Sequence, residues 1–283
     1  MYLKEIKNIF HLELDVVYGK EEVNSFFYML IEHYLELERF ILALEPNLVI
    51  SKEEETPLFD ALSRLKLEIP IQHIIEKAHF MDLDFKVSKN VLIPRPETEE
   101  LVRWILDDVL NDNTDLKILD IGTGSGCIPI SIKKNLPKAN VSSVDISDNA
   151  LQIAIENAKV NRVEVEFVHA SILEINKLHQ KFDIIVSNPP YVRELEKKKM
   201  NGNVLKHEPE LALFVTDEDP LLFYRKITEF AVHNLEKGGV LYFEINQYLG
   251  KETQQLLEEA NFSDIELRQD MFGNDRMLKG KLA

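Results

Sequence analysis

Apolar residues follow two different rhythms along this chain. Within residues 21–42, Val23, Phe26, Phe27, Leu30, Ile31 and Tyr34 recur every three or four positions, which lays one apolar stripe along a helix. Ser51 and Glu54 form a capping-box pattern ahead of Leu58, Phe59, Leu62 and Leu65, and Pro70 opens a short helix carrying Ile71, Ile74 and Ile75. The first eighty residues therefore read as a small helical bundle, serving stability or partner contact. Residues 80–87 and 91–94 then read as two short strands about a turn at Ser88-Lys89-Asn90.

From Leu116 the rhythm changes to alternating strands and helices. Lys117–Ile121, Val141–Asp145, Glu164–His169, Phe182–Ser187 and Val240–Ile245 are short and rich in Ile and Val. Helical stretches such as Ala150–Val160 and Leu221–Leu235 separate them, and Ile265–Leu267 and Arg276–Lys281 can add two more strands. The alternation predicts an α/β fold, a parallel sheet covered by helices on both faces.

Composition narrows the function. The 283 residues carry 33 Lys and Arg against 49 Asp and Glu, a net charge of −16 that repels phosphate backbones over most of the surface. A large nucleic-acid footprint does not fit that charge. The single cysteine, Cys127, makes no intrachain disulfide and no zinc cage, and it reads as a packing residue. Charges interrupt the first sixteen residues every few positions, so they read as neither signal peptide nor membrane span. The expected setting is reducing cytoplasm, with no metal.

The first candidate site is the segment LDIGTGSGCIPI, residues 119–130. A strand empties into Gly122, Thr123, Gly124, Ser125 and Gly126, and a helix begins near Cys127. Glycines allow a sharp turn and close approach of a ligand, and the helix N-terminus favours negative charge. The next strand ends at Asp145, nineteen residues past Gly126, where a carboxylate can accept hydrogen bonds from both ribose hydroxyls of an adenosine. Glycine spacing here is G-x-G-x-G, and Cys127 stands where a dinucleotide fold places its third glycine. That departure counts against NAD. The turn resembles the first motif of S-adenosylmethionine-dependent methyltransferases.

The second candidate follows the strand Phe182–Ser187, as Asn188-Pro189-Pro190-Tyr191. In an open parallel sheet this peptide faces the same crevice as the glycine turn. Two prolines stiffen the backbone and leave carbonyls free to accept, Asn188 adds a side-chain carbonyl, and Tyr191 offers a ring face. The set suits a planar –NH2 on an sp² carbon. Its lone pair is delocalised, and two acceptors, Asn188 Oδ1 and the Pro189 carbonyl, can bind both hydrogens and aim the lone pair at a methyl group. They bind more tightly as positive charge develops on the nitrogen. The tetrapeptide alone leaves the substrate open among adenine N6, cytosine N4, guanine N2 and glutamine N5.

Further segments narrow that choice. VLIPRPETEELV at 91–102, taken with the two motifs above, closely resembles the HemK/PrmC family of protein-(glutamine-N5) methyltransferases. The resemblance extends through HEPELAL at 207–213, GGVLYFEINQ at 238–247 and DMFGNDRMLKG at 270–280, about the last two hundred residues. It implies an N-terminal helical domain (1–78), a linking β-hairpin (79–95) and a Rossmann-like, seven-stranded methyltransferase domain (96–283). It implies methyl transfer from S-adenosyl-L-methionine, giving S-adenosyl-L-homocysteine, to the glutamine of the Gly-Gly-Gln motif in class-1 peptide chain release factors, with no membrane or direct nucleic-acid substrate. By position, Gly122 to Gly126 would wrap the methionine part of the cofactor and Asp145 would hold its ribose. Asn188 would touch cofactor and substrate, and Asn188, Pro189, Pro190 and Tyr191 would clamp the amide. Where the family usually places an acid beside the adenine amino group, this chain has Ser171, which shifts adenine recognition to main chain and to packing by Ile172. Where the family often has glycine before the hairpin, this chain has Glu76. Pro94, Arg95, Pro96, Glu97 and Glu99 read equally as a stiff linker ahead of a helix started by Thr98 and as a loop covering the cofactor. Lys197–Lys199, the one dense basic run, reads as a solvated loop or a docking site.

Overall fold

The structure, a computed structural model, describes residues 1–109, 115–178, 180–199 and 202–283. It consists of two units, Met1–Lys77 with Gly202–His207, and Ala78–Asn201 with Glu208–Ala283. Among the described residues no helix is long and apolar enough to cross a membrane.

The first unit contains α1 (Leu3–Tyr18), α2 (Lys20–Leu35), α3 (Ile41–Leu44), α4 (Lys52–Lys66) and α5 (Ile71–Ile74). Leu3, Ile6, Phe10 and Leu14 of α1 meet Val23, Phe27, Leu30 and Ile31 of α2 and Leu58, Ala61 and Leu65 of α4 in one apolar core. The capping box forms: Ser51 Oγ accepts from Glu54 N at 3.3 Å, and Glu54 Oε2 accepts from Ser51 N at 2.7 Å. The stripe at 21–42 does not make one helix, because Glu36 enters the left-handed region (φ 54°) and ends α2 at Leu35. The short helix Gly202–His207 belongs to this unit, where Lys206 pairs with Glu68 and His207 Nε2 donates to Leu67 O at 3.2 Å. Glu76 adopts φ 54°, the conformation that a glycine takes without strain.

In the second unit β1 (Lys77–Phe80) and β2 (Leu83–Lys86) form a hairpin. Its turn is Met81-Asp82, both at positive φ (50° and 59°), and not the expected Ser88–Asn90; residues 91–94 form no strand. Two left-handed residues match the right-handed twist of the flanking strands, and here Met-Asp does what Asn-Gly usually does. There follow α6 (Pro96–Asp108), β3 (Lys117–Ile121), α7 (Cys127–Asn135), β4 (Asn140–Asp145), α8 (Asp148–Asn161), β5 (Glu166–His169) and β6 (Phe182–Ser187). Next come β7 (Val192–Arg193), the helix Gly202–His207 as α9, α10 (Glu210–Leu213), β8 (Phe214–Val215) and α11 (Leu222–Asn234). The chain finishes with β9 (Leu235–Glu244), α12 (Gly250–Glu259), β10 (Phe262–Gln269) and β11 (Asp275–Leu282).

The seven-stranded sheet runs β10-β11-β9-β6-β3-β4-β5. The five strands from β9 to β5 are parallel, and β11 inserts antiparallel between β9 and β10. The sheet is therefore mixed rather than wholly parallel, since β10 and β11 follow one another through a tight turn that only an antiparallel pair permits. Strand alternation splits the core. Ile118, Ile184, Val186 and Tyr242 pack with Leu101, Ile105 and Ile130, while Leu119, Ile121, Ile185 and Phe243 pack with Ile227, Phe230 and Leu257. Chain order reverses between β3 and β6, so the crevice beyond their carboxyl ends is the topological switch point where such sheets bind ligands.

Candidate active site

The glycine turn is assembled mainly by backbone. Gly122 N donates to Val144 O and Gly126 N to Thr123 O, both at 2.8 Å. Gly126 has φ 82° as the N-cap of α7, and a Cβ there would lie 2.8 Å from Ile130 Cδ1 and 3.1 Å from Ala154 Cβ. Only glycine satisfies both the backbone and the close packing of α7 on α8. Asp145, at the end of β4, accepts from Gly124 N through Oδ2 (2.9 Å) and from Ser147 N through Oδ1 (2.8 Å). Each of its oxygens keeps lone-pair capacity beyond the bond that fixes it. Asn157 of α8 braces the turn: Nδ2 donates to Ser125 O (2.8 Å) and Lys86 O (3.0 Å), while Oδ1 accepts from Lys86 N (2.7 Å).

Beneath the turn lies Asp120, fully buried on β3. Its Oδ2 accepts from Ser143 Oγ at 2.9 Å, and Oδ1 has no partner. Burial pushes its carboxyl up to about 7, against the pull of Thr123 and Ser143 and with the help of the Asp145 charge. Thr123 lies close enough to lower that value without reaching hydrogen-bond geometry, so its own Oγ1 is an orphaned buried polar atom. Such an atom fits a site built to receive a polar ligand. Cys127 is buried and its thiol is pushed up to about 12, which leaves it inert as a nucleophile at neutral pH.

The opposite wall is built from side chains far apart in sequence. Ser187 at the end of β6 is in register with Ile121 of β3 and donates its hydroxyl to Ile121 O at 2.7 Å. Asn188 follows, with its carbonyl oxygen 3.9 Å from where a Cβ on Gly122 would lie. Asn188 Nδ2 donates to Thr98 Oγ1 (3.2 Å), and Thr98 Oγ1 donates to Glu244 Oε2 (2.6 Å). The hydroxyl of Tyr191 donates to Glu244 Oε1 at 2.9 Å. Burial raises the Glu244 carboxyl above the usual range, while the Thr98 and Tyr191 bonds and the Arg276 charge pull it back. Burial, together with the Glu244 charge, also raises the Tyr191 phenol well above its ordinary value, so this ring stays a neutral donor. Asn246 Nδ2 holds the Tyr191 carbonyl at 2.9 Å and Glu196 Oε2 at 2.8 Å.

One cavity of about 200 Å³ joins the two walls. Gly122, Thr123, Gly124, Ser125 and Asp145 line one side, and Asn188, Pro189 and Pro190 the other. Ser171 and Ile172 also line it, whereas Gly126 packs beneath the turn and Tyr191 turns its hydroxyl to Glu244. Pro94, Arg95 and Thr98 face the same space. The buried carboxylate of Glu208 holds this loop by accepting from Arg95 NH2 at 2.5 Å and Ile93 N at 3.2 Å. Helix α6 begins at Pro96, two residues before Thr98, as the fixed φ of proline favours at a first helical position. Lys197 pairs with Glu194 at 2.8 Å and rests 4.2 Å from the centre of the Phe214 ring.

A mixed sheet of five parallel strands and an antiparallel insert, with this switch point, a glycine turn and an acid at the end of β4, defines a Rossmann-like methyltransferase fold, and residues 103–212 match the Methyltransferase small domain family. Among solved structures, a methyltransferase from Pyrococcus furiosus is 16% identical with a TM-score of 0.52, over 82% of this chain and 98% of that one. A 16S rRNA methyltransferase of T. thermophilus, solved with AdoMet and guanosine, is 18% identical with a TM-score of 0.55, over 73% of this chain and 50% of that one. Both likenesses concern the fold alone. Sequence relatives are more specific. The release factor glutamine methyltransferase of Flavobacterium psychrophilum is 52% identical over 99% of both chains, and that of Bacteroides thetaiotaomicron is 43% identical over 94% of this chain and 95% of its own. The chain belongs to the release factor glutamine methyltransferase family.

Proposed function

We propose that this protein transfers a methyl group from S-adenosyl-L-methionine to the side-chain amide nitrogen of the glutamine in the Gly-Gly-Gln motif of class-1 peptide chain release factors. One observation carries the reading: the glycine turn with Asp145 and the Asn188-Pro189-Pro190 segment line one cavity at the switch point. The cofactor, when bound, supplies an electrophilic methyl on a sulfonium sulfur. Asp145 would offer its remaining lone pairs to ribose hydroxyls, Gly122 to Ser125 would hold the methionine part through backbone, and Ile172 would offer an apolar side chain to adenine. Asn188 Oδ1 and the Pro189 carbonyl would accept the two amide hydrogens of glutamine, hold the nitrogen lone pair toward the methyl and stabilise the charge that builds there, after which one of the two hydrogens leaves as a proton to water. The setting is the cytoplasm, where translation termination takes place.

A transfer assay with isotopically labelled cofactor tests this against the nucleic-acid alternative. Intact release factor should accept label, and duplex DNA, tRNA and rRNA should accept little under matched conditions. Strong labelling of any nucleic acid with none on the release factor would replace the proposed substrate.

A further inference from the structure

We infer that Thr98 and Glu244 are positioning residues that decide which atom of Asn188 faces the substrate. This deepens the reading of Asn188 as part of the glutamine site and rests on it. An asparagine amide presents an acceptor on one side and a donor on the other. An Asn188 turned the wrong way would offer N–H to the N–H of a glutamine amide, so something must fix its direction. The proline-stiffened backbone cannot do so, because rotation about χ2 leaves the backbone unchanged.

The hydrogen-bond chain supplies the missing constraint. Glu244 is buried, and each carboxylate oxygen takes one hydroxyl, Thr98 at 2.6 Å and Tyr191 at 2.9 Å. A separation of 2.6 Å is that of a hydroxyl donating to a charged oxygen. Thr98 has a single hydroxyl hydrogen, and Glu244 takes it. Toward Asn188, Thr98 can therefore only accept, and it accepts from Nδ2 at 3.2 Å. The amide is locked with Nδ2 on Thr98 and Oδ1 on the other side, as an incoming –NH2 requires. Polarity thus passes from a buried carboxylate on β9 through a hydroxyl on α6 to an amide after β6. The Arg276 charge favours the ionised form of Glu244 against its burial, and Asp270 holds Arg276 through Nε at 3.1 Å.

The test has two arms. The first needs no substrate: the side-chain ¹⁵N resonances of Asn188, assigned by their loss in Asn188→Asp, should show one hydrogen protected from exchange. Thr98→Ser should keep that protection, and Thr98→Val, equal in volume, should abolish it. The second arm is single-turnover kinetics on a release factor, with cofactor affinity and Tm measured alongside. Thr98→Val should slow transfer on the order of tenfold to a hundredfold with cofactor affinity unchanged, and Thr98→Ser should recover most of the rate. Glu244→Met removes the acceptor and frees the Thr98 hydrogen to donate to Asn188. Asn188→Asp puts an acceptor where wild-type Thr98 offers only lone pairs, but in the Glu244→Met background Thr98 can donate to it. The double variant should therefore turn over at least about tenfold faster than the product of the two single losses. Simple additivity, or full activity in folded Thr98→Val, would overturn the relay. If Glu244→Met does not fold, the two threonine variants and the resonance still decide. A wild-type protein that shows the protected resonance but methylates no release factor would instead overturn the proposed substrate and leave the relay standing.

Discussion

The two walls of the cavity each contain a buried carboxylate, and the two are built differently. Asp120, under the glycine turn, has one oxygen without a partner and the like charge of Asp145 nearby. Glu244, behind the clamp, has a hydroxyl on each oxygen and the Arg276 cation within reach. The glycine wall is made of main chain folded by a short motif and held at Asp145. The clamp wall is made of side chains joined across 53 to 146 residues of sequence. The first leaves polar atoms uncommitted, whereas the second commits its polar atoms to one another and so fixes the direction of one amide, which under the proposed function suits the first to receive a ligand and the second to aim a substrate.

The largest expected effect follows from that contrast. The folded Asp120 carboxyl, at about 7, lies above its ordinary 3.8. Between those values the folded state holds a proton that the unfolded state has lost, so this group makes stability fall as pH rises from about 4 to about 7, and no further above. The cost at pH 8 is on the order of 4 kcal/mol, and Asp120→Asn should relieve much of it. Thermal unfolding without ligand should show a higher Tm for the variant at pH 8, with the gain shrinking toward pH 4. A gain independent of pH would mean that Asp120 is not strained by its charge.

On the clamp wall, Asn188→Leu removes the acceptor and keeps the volume. Transfer should slow by about 10²–10³, the range for one preorganised polar group acting on developing charge, with the fold preserved. Near wild-type single-turnover rates would reduce Asn188 to a spacer. Next in size, Asp145→Ala should weaken cofactor binding by about 1.5–3 kcal/mol, roughly ten- to a hundredfold. Part of that loss comes from releasing the Gly124 and Ser147 amides, so calorimetry should show a larger entropic cost of binding. Unchanged affinity would take Asp145 out of the site. The smallest change lies outside both walls: Glu76→Gly relieves a left-handed residue and should stabilise the protein by up to about 1 kcal/mol in denaturant unfolding, with kinetics unaltered.

These walls also differ in how far they could be read from the chain. The glycine turn, Asp145 and the Asn188–Tyr191 segment were legible because each sits at the end of an apolar strand and takes its meaning from that strand or from the one next to it in sequence. Thr98 reads only as a helix start, and Glu244 only as a polar letter in VLYFEI, because their roles depend on partners 90 and 146 residues away. A carboxylate inside an apolar strand was the available signal, since such a group is almost never buried unpaired. Asn157 gave a similar signal in the middle of α8. The Met81-Asp82 turn was not legible, because neither residue announces a left-handed conformation as Asn-Gly does. The antiparallel β11 was hidden for another reason: strand spacing fixes neither direction nor order once the chain reaches the sheet edge.

Whether this cavity brings a methyl donor to an aimed glutamine amide can be read from the product itself. Purified protein, S-adenosyl-L-methionine and an unmodified class-1 release factor are incubated together, and the release factor is taken to tandem mass spectrometry with fragmentation across the Gly-Gly-Gln loop. A single added methyl is expected on the side-chain nitrogen of that glutamine, absent when Asn188→Leu replaces the wild-type protein. A methyl on any other residue, or an unmodified glutamine beside full turnover of cofactor, would contradict it.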